Sequence, residues 1–517
     1  VLVCASEKEK DIEGILPFNT TTSTKPYSPS YLSGFHAELY TIKADKAFES
    51  AKKIADPEGS GQGVLIVTIT PDRFVNKGPG RPLFPENLRM ESIAALGVVD
   101  YVALNEWPTA VETINMLKPD FYVKGPDYKR REDDITQNIN TEEDAVKASG
   151  GEMYITEDVT FSSSKLINAH MSKLDDSVQS YINTLKENFS AEDIIKEIEK
   201  TKNVNVLIIG DTIIDEYFYC TPLGKSSKSP TISTIFKYSQ SFAGGALAIA
   251  NHISQYCDHV EIITCLGEEN SQKKFIESKT DKRIKQKYFY RPDSPTNTKR
   301  RYLDTYLDNK LFEVTFMNDK KINVEIEKKI ITYLESVLSS YDMVLIADFG
   351  HGLITPAIIK FLEQSGKFLA VNAQTNSNNY GFNYITKYQR VNYISIDEKE
   401  LRLPFGDNYG SLENLISALS KNSKCEKINI TLGQAGSIYF GNGKHYRAPA
   451  FASSVKDSVG AGDAVLSVTS LLAYQNTSAE LIPFIGNCVG ALAVAITGNE
   501  HPVYNVELKK YINYFLK

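Results

Sequence analysis

Asp457-Ser-Val-Gly-Ala-Gly-Asp463 sets two carboxylates around a Gly-Ala-Gly turn that leads straight into the apolar run Ala464-Val-Leu466. Gly460, Ala461 and Gly462 carry little or no side chain, so their N–H groups can approach an anion at the positive end of a helix that starts there. Asp463 then lies beside the anion, placed to take a proton from an attacking hydroxyl while the amides hold a migrating phosphoryl group. The pattern suits phosphoryl transfer. An Asp-capped helix after a glycine turn is the purely structural alternative.

Working outward, this stretch closes a block in which short β-branched runs alternate with amphipathic helical stretches, the mark of an α/β fold with parallel sheets. The block opens with the buried-strand pattern Val204-Asn-Val-Leu-Ile-Ile209. Gly210-Asp-Thr-Ile-Ile-Asp215 follows it, and a carboxylate at the C-terminal end of such a strand is well placed to bind hydroxyls. Asp215 is equally readable as a surface cap. Residues 216–220, 231–236 and 301–306 read as strands outside the parallel pattern, forming a small separate sheet that serves as a lid. Gly244 and Gly245 precede a helix over 246–253, where missing side chains admit either a ligand or close packing. His351, in Gly350-His-Gly352, reads as a structural or substrate-orienting residue rather than a catalytic one.

An earlier block has the same alternation: the strand Val64-Leu-Ile-Val-Thr-Ile-Thr70, a helix over 85–96, a strand over 101–104, a helix over 110–117 and a strand over 121–123. Between about 167 and 202 the sequence becomes charged with 3.6-residue periodicity, a helical connector. The expected organisation is therefore 1–168, 169–202 and 203–517.

At 517 residues the chain is too long for one core of roughly 150 residues. Hydrophobic residues at 42% and charged residues at 23% describe a soluble globular protein. A net charge of -7 without a basic stretch argues against a nucleic-acid partner. Six scattered cysteines without C-x-x-C spacing point to reduced thiols and a cytoplasmic protein rather than disulfides or zinc. No run of about 18 apolar residues suggests a membrane span, and Val1–Ser6 is no signal peptide. The start at Val1 rather than Met leads to the expectation that the natural N-terminus lies further upstream.

Residues from about 203 to 517 resemble the ribokinase-like (PfkB) carbohydrate kinases, with the motifs in family order. The resemblance implies ATP and Mg²⁺ as cofactors, Asp463 as catalytic base, and Gly460, Ala461 and Gly462 as the anion hole. It puts Asp215, Gly244, Gly245, Asn251 and Arg301 on the sugar side. Thr431-Leu-Gly-Gln-Ala-Gly436 resembles the nucleotide loop, so that Thr431, Gly433, Gly436, Asp457 and Asn487 bind ATP. The family's Asn-x-x-Glu element stands here as Asp397-Glu-Lys-Glu400, which assigns Glu400 and Asp397 to Mg²⁺ through water. Lid strands commonly pair between subunits in the family, implying a homodimer. No Walker A sequence occurs.

Phe242-Ala-Gly-Gly-Ala-Leu247, Asp348-Phe-Gly-His-Gly-Leu353 and Val371-Asn-Ala-Gln-Thr-Asn376, with the front domain, look like the heptose-phosphate kinase/nucleotidyltransferase group. Residues from about 60 to 168 resemble the cytidylyltransferase-like, Rossmann-like nucleotidyltransferases. Lys77, Arg81, Arg89, Lys124, Ser162, Ser163 and Ser164 fall on that family's nucleotide-binding positions. The reactive His-x-Gly-His element is missing. Counting back from the helix that begins at Phe48, its positions hold Thr41 and Ala44; anchoring on His36 puts Leu39 in the second. Each lost donor of this kind typically costs roughly 10²–10³ in rate, so the expectation is a weak or inactive first domain fused to a sugar kinase. A working bifunctional enzyme and a non-catalytic sugar or nucleotide sensor are the alternatives. The domain order, transferase before kinase, is the reverse of the best-known bifunctional heptose enzymes and leaves the sugar open.

Overall fold

The run Val64–Ile69 is buried along its whole length, and its residues divide between two cores. Leu65, Val67 and Ile69 pack with Phe48, Ala51, Met90, Ile93 and Val102 on one face. Val64 and Ile66 pack with Ala110, Ile114, Tyr122 and Val146 on the other. A strand covered on both faces has no polar side to show, which is why its sequence does not alternate.

The computed structural model describes residues 2–6, 48–75, 82, 84–125, 128, 138–156, 175–306 and 309–516, with only the backbone for 2–6. The positions His36, Leu39, Thr41, Ala44, Lys77, Arg81, Ser162, Ser163 and Ser164 lie outside the described residues. The chain divides into two compact units. One comprises 1–174 with 509–515 and 517, the other 175–508 with 516, so both connector helices, Asp176–Asn188 and Ala191–Glu199, group with the second.

In the first unit five strands, β1 (Leu2–Ser6), β2 (Val64–Ile69), β3 (Tyr101–Leu104), β4 (Phe121–Lys124) and β5 (Glu152–Ile155), lie in the order β3-β2-β1-β4-β5. β2 is parallel to β3 and β4 to β5, but the central β1 is antiparallel to both its neighbours. The expectation of parallel sheets throughout is corrected here. A β-branched run identifies a strand without giving its direction, which the connections on either side determine.

The second unit is built on nine strands: β6 (Asn205–Gly210), β9 (His259–Gly267), β10 (Lys285–Arg291), β13 (Met343–Asp348), β14 (Phe368–Ala373), β15 (Tyr393–Asp397), β16 (Ile428–Thr431), β17 (Ser437–Gly441) and β18 (Lys444–Ala448). Their order is β10-β9-β6-β13-β14-β15-β16-β17-β18. The first seven are parallel, and an antiparallel hairpin, β17 and β18, closes one edge. All seven parallel strands therefore end on the same rim, where an open α/β sheet binds its ligands.

A second, four-stranded sheet stands apart in the order β12-β11-β7-β8, made of β7 (Thr212–Lys225), β8 (Ile232–Gly245), β11 (Thr298–Asp304) and β12 (Lys310–Phe316). It is larger than the sequence indicated. β7 begins at Thr212, β8 runs on to Gly245, and β12 is an added strand whose alternating apolar residues Phe312, Val314 and Phe316 are exposed. No described helix is long and apolar enough to cross a membrane.

Candidate active site

The helix Ala461–Tyr474 begins at Gly460, whose φ of +81° is a left-handed conformation that side chains rarely adopt. A Cβ there would also lie 2.2 Å from Asn499 Oδ1. Glycine is required on both counts. A Cβ on Gly462 would meet nothing within 4 Å, so open space lies beside the first turn of this helix.

Asp463, in that first turn, is only 8% exposed. Burial, reinforced by the nearby charge of Asp215, pushes its carboxyl up to about 7 against the opposing pull of Lys299. A carboxylate near neutrality is better matched to accepting a hydroxyl proton than one at its ordinary value.

Asp215 is buried on β7, where Arg301 binds its Oδ1 and reaches Glu313 at 2.8 Å with Nε. A Cβ on Gly244 would stand 2.2 Å from Asp215 Oδ2, so the first glycine of the pair makes room for this carboxylate. Asp215, Gly244, Gly245 and Arg301 thus come together, and the Asp463 carboxyl feels the charge of Asp215. Asn251 does not join them. Its amide donates to Lys279 O (2.9 Å) and accepts from Asp281 N (2.9 Å), which ties the far part of the helix Ala246–Ile253 to residues 279–281. Six residues beyond Gly245 on a helix of 3.6 residues per turn, it faces a different side.

Sequence reasoning missed Lys299. It pairs in register with Asp215 across β11 and β7 and is 6% exposed, yet its ammonium has no ion pair within 4 Å among the described residues. Burial holds it below the ordinary lysine range, while Asp215, Glu313 and Asp211 pull the other way. The two-residue period of a strand, counted back from Arg301, was the available signal.

Asp457, assigned to ATP, is occupied by the protein itself. It accepts from Tyr217 Oη (2.7 Å), Lys310 Nζ (2.9 Å), Gly498 N (2.9 Å) and Val459 N (3.1 Å). Burial alone would raise its carboxyl, but these donors outweigh burial and hold it low. Asn487 likewise spends its amide on Ala448 O and Pro449 O, both at 2.9 Å. The Asp457 carboxylate and the Asn487 NH2 are thus taken by groups of the protein itself, as buried polar groups generally are.

Thr431 ends β16 in register with Asp397 at the end of β15. Gly433 and Gly436 flank the turn after it, and a Cβ on Gly433 would meet nothing within 4 Å. Asp397 and Glu400 cap one helix reciprocally: Asp397 Oδ1 accepts Glu400 N (2.8 Å) and Glu400 Oε2 accepts Asp397 N (3.0 Å), while Oε1 accepts Thr375 N (2.9 Å). Burial and then the Asp397 charge push the Glu400 carboxyl up. No described group of three or more His, Cys, Asp or Glu could hold a metal directly. A carboxylate pair strained by its own charge fits a hydrated divalent cation carried by phosphates, not an all-protein cage.

Of the first unit's cations assigned to a nucleotide, the two among the described residues, Arg89 and Lys124, are engaged internally. Arg89 donates to Thr70 O (2.9 Å) and Phe84 O (3.1 Å) and pairs with Asp72. Lys124 is paired with buried Glu142 at 2.8 Å, beneath the rings of Tyr122 and Tyr128.

Comparison with known proteins adds the following. The model of the pfkB family of carbohydrate kinases matches residues 203–503, and the model described as cytidylyltransferase-like matches 46–169. The bifunctional protein HldE of Campylobacter fetus is 25% identical over 305 residues, 57% of this chain and 64% of that protein. The HldE of Desulfatibacillum aliphaticivorans is 25% identical over 321 residues, 60% and 64% of the two chains. These alignments thus span less than two thirds of their relatives' length. Among solved structures, a ribokinase from Thermotoga maritima covers 60% of this chain and 99% of its own with a TM-score of 0.47 at 17% identity. Phosphofructokinase-2 of Escherichia coli gives 61%, 100%, 0.49 and 12%.

Proposed function

Because the chain belongs to the pfkB family of carbohydrate kinases, we propose that its second unit transfers the γ-phosphoryl group of ATP to a hydroxyl of a sugar or sugar phosphate, a heptose phosphate being the acceptor the motifs imply. The observation that carries this reading is Asp463: a buried carboxyl raised to about 7, in the first turn of a helix whose start borders open space. As the acceptor oxygen bonds to the γ-phosphorus, its proton passes to Asp463 and the bond to the β–γ bridging oxygen breaks, releasing ADP. The amides of Gly460 to Gly462 take up charge on the migrating group, and Asp215 with Gly244 and Gly245 orients the sugar. Glu400 and Asp397 would hold magnesium through water, and the ion would supply charge neutralisation for the phosphates.

Asp463→Asn tests this directly. ATP binding should persist while turnover, followed as ADP release across a panel of sugars and sugar phosphates, falls by roughly 10²–10⁴. Wild-type turnover in that variant would exclude the role.

The first unit is read as a nucleotidyltransferase fold with weak or no transfer activity in a cytoplasmic protein. The reactive histidine pair is broken on either anchoring, as Thr41 and Ala44 or as His36 and Leu39, and the cytidylyltransferase-like match begins at residue 46. Arg89 and Lys124 are held by internal partners. The lid sheet is read as a homodimer surface, since Ile232, Ile235, Phe236, Tyr238 and Phe312 leave about half of their surfaces in solvent.

A further inference from the structure

His351 is 1% exposed, and neither of its ring nitrogens has a hydrogen-bond partner. Buried polar atoms are rarely left in this state, so two on one imidazole call for a guest. The ring borders a small cavity that it shares with Asp211, Cys265, Arg291 and Asn297, with room for about one water-sized group.

The cavity adjoins the acceptor side of the site. Asp211 directly follows β6, and its carbonyl accepts Ala246 N (3.0 Å) next to Gly245. Asn297 precedes β11, with its carbonyl on Ile214 N (2.8 Å) beside Asp215. The Lys299 charge acts on His351 and on Asp463 alike.

Its chemistry favours an uncharged guest. The Arg291 guanidinium is already spent on the carbonyls of His351, Asn318 and Lys320 and on Asp293. An anion would lie against Asp211, whose carboxyl is pushed up to about 6 by burial and by Asp348. Burial, and then the Lys299 charge, hold His351 down to about 3, so the ring is neutral at physiological pH. A neutral imidazole offers a donor on one edge and an acceptor on the other, and either can pair with a hydroxyl group.

We propose that His351 is a specificity-determining residue of the acceptor site, one of whose ring nitrogens binds a sugar hydroxyl other than the one phosphorylated, in the cavity shared with Asp211 and Asn297. This rests on the kinase reading above. The full chain is assayed with ribose, mannose, fructose 6-phosphate, ribose 5-phosphate and sedoheptulose 7-phosphate, and the best acceptor is carried forward with its singly deoxygenated analogues. His351→Phe is expected to raise KM for the acceptor tenfold or more with KM for ATP unmoved, and to lose the discrimination that the wild type shows against one deoxy analogue. His351→Gln, which keeps a donor and an acceptor, should restore most of both. An unchanged acceptor KM, or identical discrimination in wild type and His351→Phe, overturns the inference while leaving the kinase reading intact. No turnover of any panel sugar by the wild type overturns the kinase reading and this inference with it. Should His351→Phe lose its thermal transition, the wild-type crystal soaked with the acceptor decides: a sugar hydroxyl within hydrogen-bond distance of the ring upholds the inference, and a water alone overturns it.

Discussion

Asp463 and Asp457 bracket one seven-residue stretch and have opposite environments. Four donors saturate Asp457 and hold its carboxyl low, whereas buried Asp463 faces the charge of Asp215 and rises to about 7. Two aspartates six residues apart thereby become a structural latch and a candidate base. The sign of the pH dependence follows. A general base works deprotonated, so a raised value means that activity is lost as pH falls through about 7 and is fully present above it. The acid limb of kcat/KM for the acceptor should therefore lie near 7 and drop about tenfold per unit below it. A profile flat down to pH 5 would remove Asp463 from the proton-transfer step.

At the scale of elements, the lid is joined to the start of the helix Ala461–Tyr474 through Asp457, which takes Tyr217 from β7 and Lys310 from β12. Tyr217 is fully buried and packs edge-on against Phe242 of β8, so three of the four lid strands meet at this point. Tyr217→Phe keeps the ring and removes only the hydroxyl, leaving a buried carboxylate with one donor fewer. A hydrogen bond to a charged group contributes about 1.5–3 kcal/mol, and the denaturation midpoint should fall by a corresponding amount. An unshifted midpoint would mean that the lid is held elsewhere. Arg301 shows the same dependence on pairing between strands, since it reaches Asp215 and Glu313 only because β11 lies between β7 and β12.

For the whole molecule, transfer activity and assembly are each open to test. The full chain, incubated with nucleoside triphosphates and sugar 1-phosphates, should release pyrophosphate no faster than a blank, and rapid release would reinstate a working transferase. Phe236, 53% exposed on β8, belongs to the apolar outer lid, so Phe236→Glu should shift the molar mass measured by light scattering from dimer to monomer without loss of fold. A wild type that is already monomeric would remove the lid as a subunit interface. Much of the architecture was readable in advance: Val64–Thr70 as a strand, which ends at Ile69, Ala246–Ile253 as a helix, and Gly460 to Asp463 as a helix start with its carboxylate, because local chain geometry depends on spacing and side-chain bulk. The direction of the first unit's central strand and the partners of single side chains were not readable. That β1 runs against its neighbours, that Asn251, Asp457 and the Asn487 NH2 are taken by distant backbone or lid groups, that Lys299 is buried without an ion pair among the described residues, and that both His351 ring nitrogens lack a partner all follow from residues tens to hundreds of positions away. Hydrogen-bond satisfaction and desolvation belong to a residue's surroundings, and only the folded chain assembles those surroundings.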